Sequence, residues 1–99
     1  SKSRGVINAY SGSLKEAEIL MKMDFLFGFS HNLSNPHAYK LHDIVKFLPL
    51  ESILIETDDH KNPDELMQVV ERVARIKKIT VKQVIEQCDD NACKLYNLA

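Results

Sequence analysis

Short apolar runs alternate with amphipathic stretches along this chain. Three runs are almost continuously hydrophobic, as expected for strands buried on both faces, and they cover residues 5–11, 25–30 and 53–58. Between and after these runs, hydrophobic residues recur at intervals of three and four, which is the spacing of a helix with one buried face. Strands separated by such helices are typical of βαβ units. The pattern therefore predicts an α/β fold with parallel strands in the order βαβαβ, followed by further helices.

Capping motifs indicate where the helices begin. A Ser or Thr followed three residues later by Glu or Gln forms a capping box, and an Asn followed by Pro combines a good cap with a residue suited to the first helical position. Motifs of these two kinds begin at Ser13, Asn35, Asn62 and Thr80. We expect a helix after each of them, with the last one opening a short helix over residues 81–87 and a separate short helix following over residues 91–98.

Composition and charge indicate one small domain without a general attraction to polyanions. The chain has 99 residues, of which 44% are hydrophobic and 27% are charged, and its formal net charge is -1. A nearly neutral chain has no overall field that would attract nucleic acid or an anionic membrane. Its apolar stretches are shorter than the roughly 20 residues that cross a bilayer, and the start SKSRGVINAY lacks the apolar core of a signal peptide. We therefore expect a cytoplasmic protein with no membrane partner.

Polar residues follow the predicted strands at the end where parallel α/β sheets carry their chemistry. Asn8 and Ser11 lie at the end of the first strand, His31 follows the second, and Glu56 and Asp58 end the third. The last two alternate along the strand, so they share one face, and a paired-carboxylate acid/base site is conceivable there. Asp58 also fits a carboxylate that only caps its own loop.

Other chemistry-bearing residues give weaker indications. His31 and His60 could supply imidazole ligands near the strand ends, although a single His beside a loop is more often solvated or hydrogen-bonded locally. Ser11 precedes a glycine but lacks the G-x-S-x-G pattern of an activated serine nucleophile. Cys88 and Cys93 are too far apart for a C-x-x-C motif, and we expect two reduced thiols.

Three segments of the chain carry a recognisable combination of motifs, and they are GVINAYSGSLKEAEILMKMDFLFGFS, PLESILIETD and ITVKQVIEQCDDNACKLYNL. Together they resemble the C-terminal part of the TatD family of metal-dependent hydrolases and deoxyribonucleases. In that family, H-C-F-S-G ends one barrel strand, Y-I-S-F-S-G follows, P-L-D-R-L-L-x-E-T-D ends the last strand, and a late helix carries N-A-x-x-L-F. The family fold is a (β/α)8 TIM barrel. The resemblance therefore implies that residues 1–99 form a single partial domain that supplies roughly the last three strands and their helices.

The resemblance also implies a metal site. Asp58 falls on the Asp of E-T-D, which binds metal and assists the attacking water in the family, and Asn8 stands where the family has a metal-binding His. An amide oxygen suits hard cations, whereas an imidazole is the better donor for transition metals. The implied cofactor is a divalent ion, Mg²⁺, Mn²⁺ or Zn²⁺, although with this substitution the chain could also hold none. The residues that could support such a site are Glu56, Ser11, His31 and His60.

Two functions of different classes follow. The first is part of a TatD-type hydrolase that cuts phosphodiester bonds of DNA, inactive as this chain alone because only two of the family's ligand positions fall within it. The second is a non-catalytic, truncated relative that acts as an interaction module through self-association or a second chain that completes the sheet. Three strands cannot close a barrel, and open strand edges pair readily with other chains. We expect Val6, Phe27 and Leu54 to face the missing barrel interior and to promote association.

Overall fold

The structure is a computed structural model that describes residues 3–8, 10–56 and 63–95. The strands are β1 (Gly5–Ile7), β2 (Phe25–Phe29) and β3 (Ile53–Ile55). The α-helices are α1 (Leu14–Lys22), α2 (Tyr39–Phe47), α3 (Pro63–Lys77) and α4 (Val81–Leu95). A first 3₁₀ turn (His31–Ser34) follows β2, and a second 3₁₀ turn (Leu50–Ser52) precedes β3. Within these ranges no helix has the length and hydrophobicity needed to span a bilayer.

The three strands form a parallel sheet in the order β1-β2-β3. This arrangement confirms the predicted α/β fold with βαβαβ order. The first strand is shorter than predicted, because Asn8 already lies in a turn. The third strand ends at Ile55, but the amide of Glu56 still donates to the carbonyl of Phe29 at 2.8 Å. Residues 57 and 58 of the predicted strand lie outside the described residues.

The helices pack on one face of the sheet. Phe27 lies opposite Ile7 on β1 and Ile53 on β3, and its side chain is 0% exposed within the hydrophobic core formed with the helices. The expectation that Phe27 faces the barrel interior was therefore wrong, because an uninterrupted apolar strand gives no alternation from which its faces could be assigned. Val6 and Leu54 belong to the opposite face by the alternation of the strands, and both are half-buried.

The two predicted capping boxes are present. Ser13 Oγ accepts from the amide of Glu16 at 3.1 Å, and the Glu16 carboxylate accepts from the amide of Ser13 at 3.0 Å. These hydrogen bonds lower the pKa of Glu16 below its ordinary value. Thr80 and Gln83 repeat the exchange at 3.0 and 2.9 Å. Helices α1 and α4 therefore begin where local sequence predicts, since each cap satisfies amides that the helix leaves unpaired.

Two helix predictions were wrong. Helix α2 begins at Tyr39 rather than after Asn35, because Asn35 Oδ1 accepts from the amide of His37 at 2.9 Å and forms a local turn instead of a helix cap. Residues 81–95 form the single helix α4 instead of two short ones. Helix α3 begins at Pro63 as predicted, while its expected cap, Asn62, lies outside the described residues.

Asn91 lies within α4 and makes its main contacts outside the helix. Its side chain is 0% exposed, and Nδ2 donates to the carbonyl oxygens of Leu50 at 2.9 Å and Ile53 at 2.7 Å. Its Oδ1 accepts from Gln87 Nε2 at 3.0 Å. Buried polar groups need such partners, and here each polar atom of the amide has one. Asn91 thus joins α4 to the second 3₁₀ turn and to the first residue of β3.

Replacement of Asn91 by Ala should destabilise the protein by roughly 2–4 kcal/mol, because a cavity forms, the Leu50 carbonyl loses this donor and the Ile53 carbonyl keeps only the weak Sγ–H donor of Cys88. Asn91→Asp should cost more, since carboxylate oxygens would then face both carbonyl oxygens. Urea denaturation measures the free energy of unfolding. The exposed neighbour variant Asp89→Ala is the control and should change it by less than about 0.5 kcal/mol. Equal effects of Asn91→Ala and Asp89→Ala would contradict the role given to the amide.

Candidate active site at the carboxyl ends of the strands

The carboxyl ends of the three strands lie along one edge of the sheet because the strands are parallel. Asn8 follows β1, His31 begins the 3₁₀ turn after β2, and Glu56 follows β3. Asn8 and His31 are exposed, and Glu56 is half-buried. With β2 between them, the strands that carry Asn8 and Glu56 are about 10 Å apart, given a spacing of ~4.8 Å between neighbours.

Tyr10 fixes the loop that follows β1. Its amide donates to the carbonyl of Gly28 at 3.2 Å, its hydroxyl donates to the carbonyl of Ser13 at 2.7 Å, and its ring packs edge-on against Phe27 with centroids 5.0 Å apart. Burial, and secondly the Glu16 carboxylate, raise the pKa of the Tyr10 hydroxyl above its ordinary value, so it remains a donor. The loop is thereby attached to both β2 and α1.

Gly12 lets the Tyr10 side chain lie close to the loop. A Cβ added at Gly12 would lie 2.6 Å from the Tyr10 hydroxyl oxygen and 2.8 Å from Cζ. Because the ring is held by Ser13 and Phe27, it could not move aside cheaply. Ser11, between these residues, is exposed. The Tyr-Ser-Gly sequence therefore has a packing reason in this structure.

The Glu56 side chain lies across Gly28 of the neighbouring strand. A Cβ added at Gly28 would lie 2.5 Å from Glu56 Oε1 and 3.0 Å from Cγ. The absence of a side chain at position 28 thus provides the space for this carboxylate on the face that carries Leu54, opposite the helices. Sequence reasoning selected Glu56 but missed Gly28. Only the register of β2 against β3, Gly28 beside Leu54, reveals the pairing.

The described residues do not by themselves complete a metal site. Among residues 3–8, 10–56 and 63–95, no three His, Cys, Asp or Glu side chains are grouped closely enough to hold an ion. Asn8 and Glu56 are oxygen donors on strands separated by β2. Asp58 and His60 lie outside the described residues, so their part in a site stays a prediction. The donors seen here do not fit a divalent ion without further ligands.

The two cysteines are free, and the local chemistry of Cys88 makes it a poor nucleophile. Burial, with a smaller contribution from Asp89, raises the pKa of the Cys88 thiol to about 11. Its Sγ lies 3.6 Å from the carbonyl oxygen of Ile53, to which it donates. Reactive cysteines have lowered pKa values. Cys88 therefore packs as a protonated side chain between α4 and β3.

Comparison with known proteins identifies the family. The family model described as "TatD related DNase" matches residues 1–97. The chain therefore belongs to the TatD family, which confirms the resemblance seen in its sequence.

Curated relatives carry names consistent with this family. The "Uncharacterized metal-dependent hydrolase YabD" of Bacillus subtilis (strain 168) is 27% identical over 105 residues, which cover 95% of this chain and 41% of that protein. The "Putative deoxyribonuclease tatdn3-B" of Xenopus laevis is 29% identical over 100 residues, which cover 92% of this chain and 38% of that protein. The chain thus spans about two fifths of the length of these relatives.

Two solved structures show the same fold. The TatD homologue YjjV from Escherichia coli K12 superposes with a TM-score of 0.80 at 24% identity, over 96% of this chain and 41% of that one. A TatD family hydrolase from Entamoeba histolytica gives a TM-score of 0.78 at 16% identity, over 96% of this chain and 42% of that one. At these identities the likeness speaks for the fold alone, and it confirms the predicted fold class.

Gly28→Ala tests the contact between Gly28 and Glu56. The added methyl group must displace the carboxylate, whereas in a Glu56→Ala background the same space is empty. We therefore expect Gly28→Ala to destabilise the wild-type chain and to be neutral or stabilising with Glu56→Ala, a coupling of about 1–2 kcal/mol by urea denaturation. The same effect of Gly28→Ala in both backgrounds would mean that the two residues do not compete for space.

Proposed function

We propose that this chain is the C-terminal part of a TatD-type metal-dependent hydrolase that acts on phosphodiester bonds of DNA. The observation that supports it most is the parallel sheet whose carboxyl ends carry Asn8, His31 and Glu56 along one edge, in a chain matched to this family over residues 1–97. Chemistry gathers at this edge in parallel α/β folds. In the proposal, residues 1–99 form one partial domain of a cytoplasmic enzyme.

Asp58 and Asn8 are the proposed metal positions. Asp58 is the proposed catalytic carboxylate, and the alternation from Leu54 through Glu56 would direct it to the same face of β3. Asn8 would contribute an amide oxygen where an imidazole would be the stronger donor for Zn²⁺ or Mn²⁺. Ser11, Glu56, His31 and His60 are proposed as supporting residues. With so few donors, we propose that the chain alone is inactive.

Calorimetric titration with Zn²⁺ and Mn²⁺ tests whether positions 8 and 58 share a site. Asn8→His should raise the affinity for either ion roughly tenfold, because an imidazole nitrogen replaces an amide oxygen. The gain should disappear in the double variant Asn8→His with Asp58→Ala. A gain that survives the loss of Asp58, or no gain at all, would refute a shared site.

A nuclease assay with Mg²⁺ or Mn²⁺ accompanies this titration. The wild-type chain should leave DNA intact, since a metal-assisted displacement needs more ligands than these two positions supply. Cleavage that is lost in Asp58→Ala would show that other groups complete the site, and the proposed inactivity would then be wrong.

The sheet also supports the second candidate, a non-catalytic interaction module. Within the described residues β1 and β3 each pair with β2 alone, so their outer edges have no neighbouring strand. Some backbone groups of these strands already have side-chain partners, since Asn91 and Cys88 donate to the Ile53 carbonyl and Ser3 Oγ bonds Gly5. A second copy or another chain could pair there and complete the sheet.

Light scattering at micromolar concentration measures this association. We expect the average mass to exceed that of one chain and to increase with concentration, because edge pairing is intermolecular. The variant Val6→Lys tests the cause of the association. It places a charge on β1, on the face opposite the helices, and should lower the average mass. A stable monomer over the whole concentration range would exclude self-association as the role of these edges.

A further inference from the structure

A polar groove lies between the first 3₁₀ turn and α3. Its volume is about 290 Å³, and it is lined by Ser34, Gln68, Glu71, Arg72 and Arg75. The four residues from α3 are spaced i, i+3, i+4 and i+7, so they form one stripe along the helix. One wall of the groove is therefore the end of the 3₁₀ turn, and the other is this stripe.

Arg72 is held in the groove by the 3₁₀ turn. Its side chain is half-buried, and Nη2 donates to the carbonyl oxygen of Ser34 at 3.2 Å. A guanidinium group has five N–H donors, so this bond leaves donors for a second acceptor. The bond also restricts the orientation of the planar group, which reduces the entropy that a ligand would have to offset. Arg72 is thus oriented in advance for an acceptor in the groove.

Arg75 and Gln68 extend the set of donors on either side of Arg72. Both are exposed, and the Arg75 guanidinium donates no hydrogen bond to another residue in the described ranges. Glu71 is the one acidic residue in the lining. Two guanidinium groups against one carboxylate leave the groove with a single net positive charge. The lining therefore favours an anion.

We propose that this groove binds a phosphate group through Arg72 and Arg75. A guanidinium matches phosphate because its parallel N–H groups can meet two oxygens of the anion at once. The phosphate could belong to a nucleic-acid backbone or be a free ion, and both share this chemistry. None of the lining residues is among the candidate residues at the strand ends. The inference therefore goes beyond the proposed hydrolase function and does not depend on it.

Titration of the full chain with inorganic phosphate at constant ionic strength tests the groove, with backbone amide NMR shifts as the readout. Arg75→Gln removes a charged donor but keeps the bond from Arg72 to Ser34, and we expect Kd to rise roughly three- to tenfold. Glu71→Gln removes the opposing charge and should lower Kd about two- to threefold. The matched control Arg4→Gln makes the same change at the amino ends of the strands and should leave Kd unchanged.

Opposite responses of Arg75→Gln and Glu71→Gln, with shifts at residues of the groove, would support the proposal. The proposal fails if both variants bind as the wild type does, or if Arg4→Gln weakens binding as much as Arg75→Gln. A parallel titration with a short oligothymidylate separates the two sources. Weaker binding of the oligonucleotide by Arg75→Gln supports a backbone phosphate, whereas a response to inorganic phosphate alone supports a free ion. If the metal titration shows no shared site at Asn8 and Asp58, the conclusion about phosphate binding in the groove is unaffected.

Discussion

The hydrogen bonds that Asn91 donates to Leu50 and Ile53 are the constraint on which the position of β3 depends. They connect the last helix to the second 3₁₀ turn and to the first residue of the strand. Loss of the amide would leave the Leu50 carbonyl without this donor and the Ile53 carbonyl with only the weak Sγ–H donor of Cys88. A buried carbonyl group left without a partner costs about 1–3 kcal/mol. The strand held in this way aligns Ile53 with Phe27. The same register places Glu56 against Gly28.

A second polar contact positions α3 against α2. Lys77 Nζ donates to the carbonyl oxygens of Lys46, at 3.2 Å, and Leu48. Carbonyl groups at the end of a helix carry partial negative charge, so an ammonium group is suited to this place. Burial lowers the pKa of Lys77 below its ordinary value, and the Glu51 carboxylate opposes this shift. The groove that contains Arg72 and Arg75 is formed by the same helix, so the position of α3 also sets the width of that groove.

Local features could be predicted from the sequence, whereas features set by distant residues could not. The strand order and both capping boxes follow from neighbouring residues, and parallel strands explain why Glu56 shares an edge with the ends of the other strands. The sequence predicts a new helix at Asn91, because the acceptors that hold its side chain lie 38 and 41 residues away and leave no local signal. Asn35 can either cap a helix or form a local turn, and the sequence does not decide between these two structures. The face of the sheet on which Phe27 lies and the space beside Gly28 depend on the register of the strands, which an uninterrupted apolar run does not specify.

At the carboxyl ends of the strands, the residues that fix the loops differ from those that would carry the proposed chemistry. Tyr10 attaches the loop after β1 through the carbonyls of Gly28 and Ser13, and neither bond involves the exposed side chain of Asn8. In the proposed hydrolase, exchange of an imidazole for an amide at position 8 would therefore change the donor at this position without disturbing the contacts that fix the loop. The packing of the loop after β1 is for this reason independent of the side chain at position 8. Under this proposal, the strand could keep its packing while the ligand at position 8 changes.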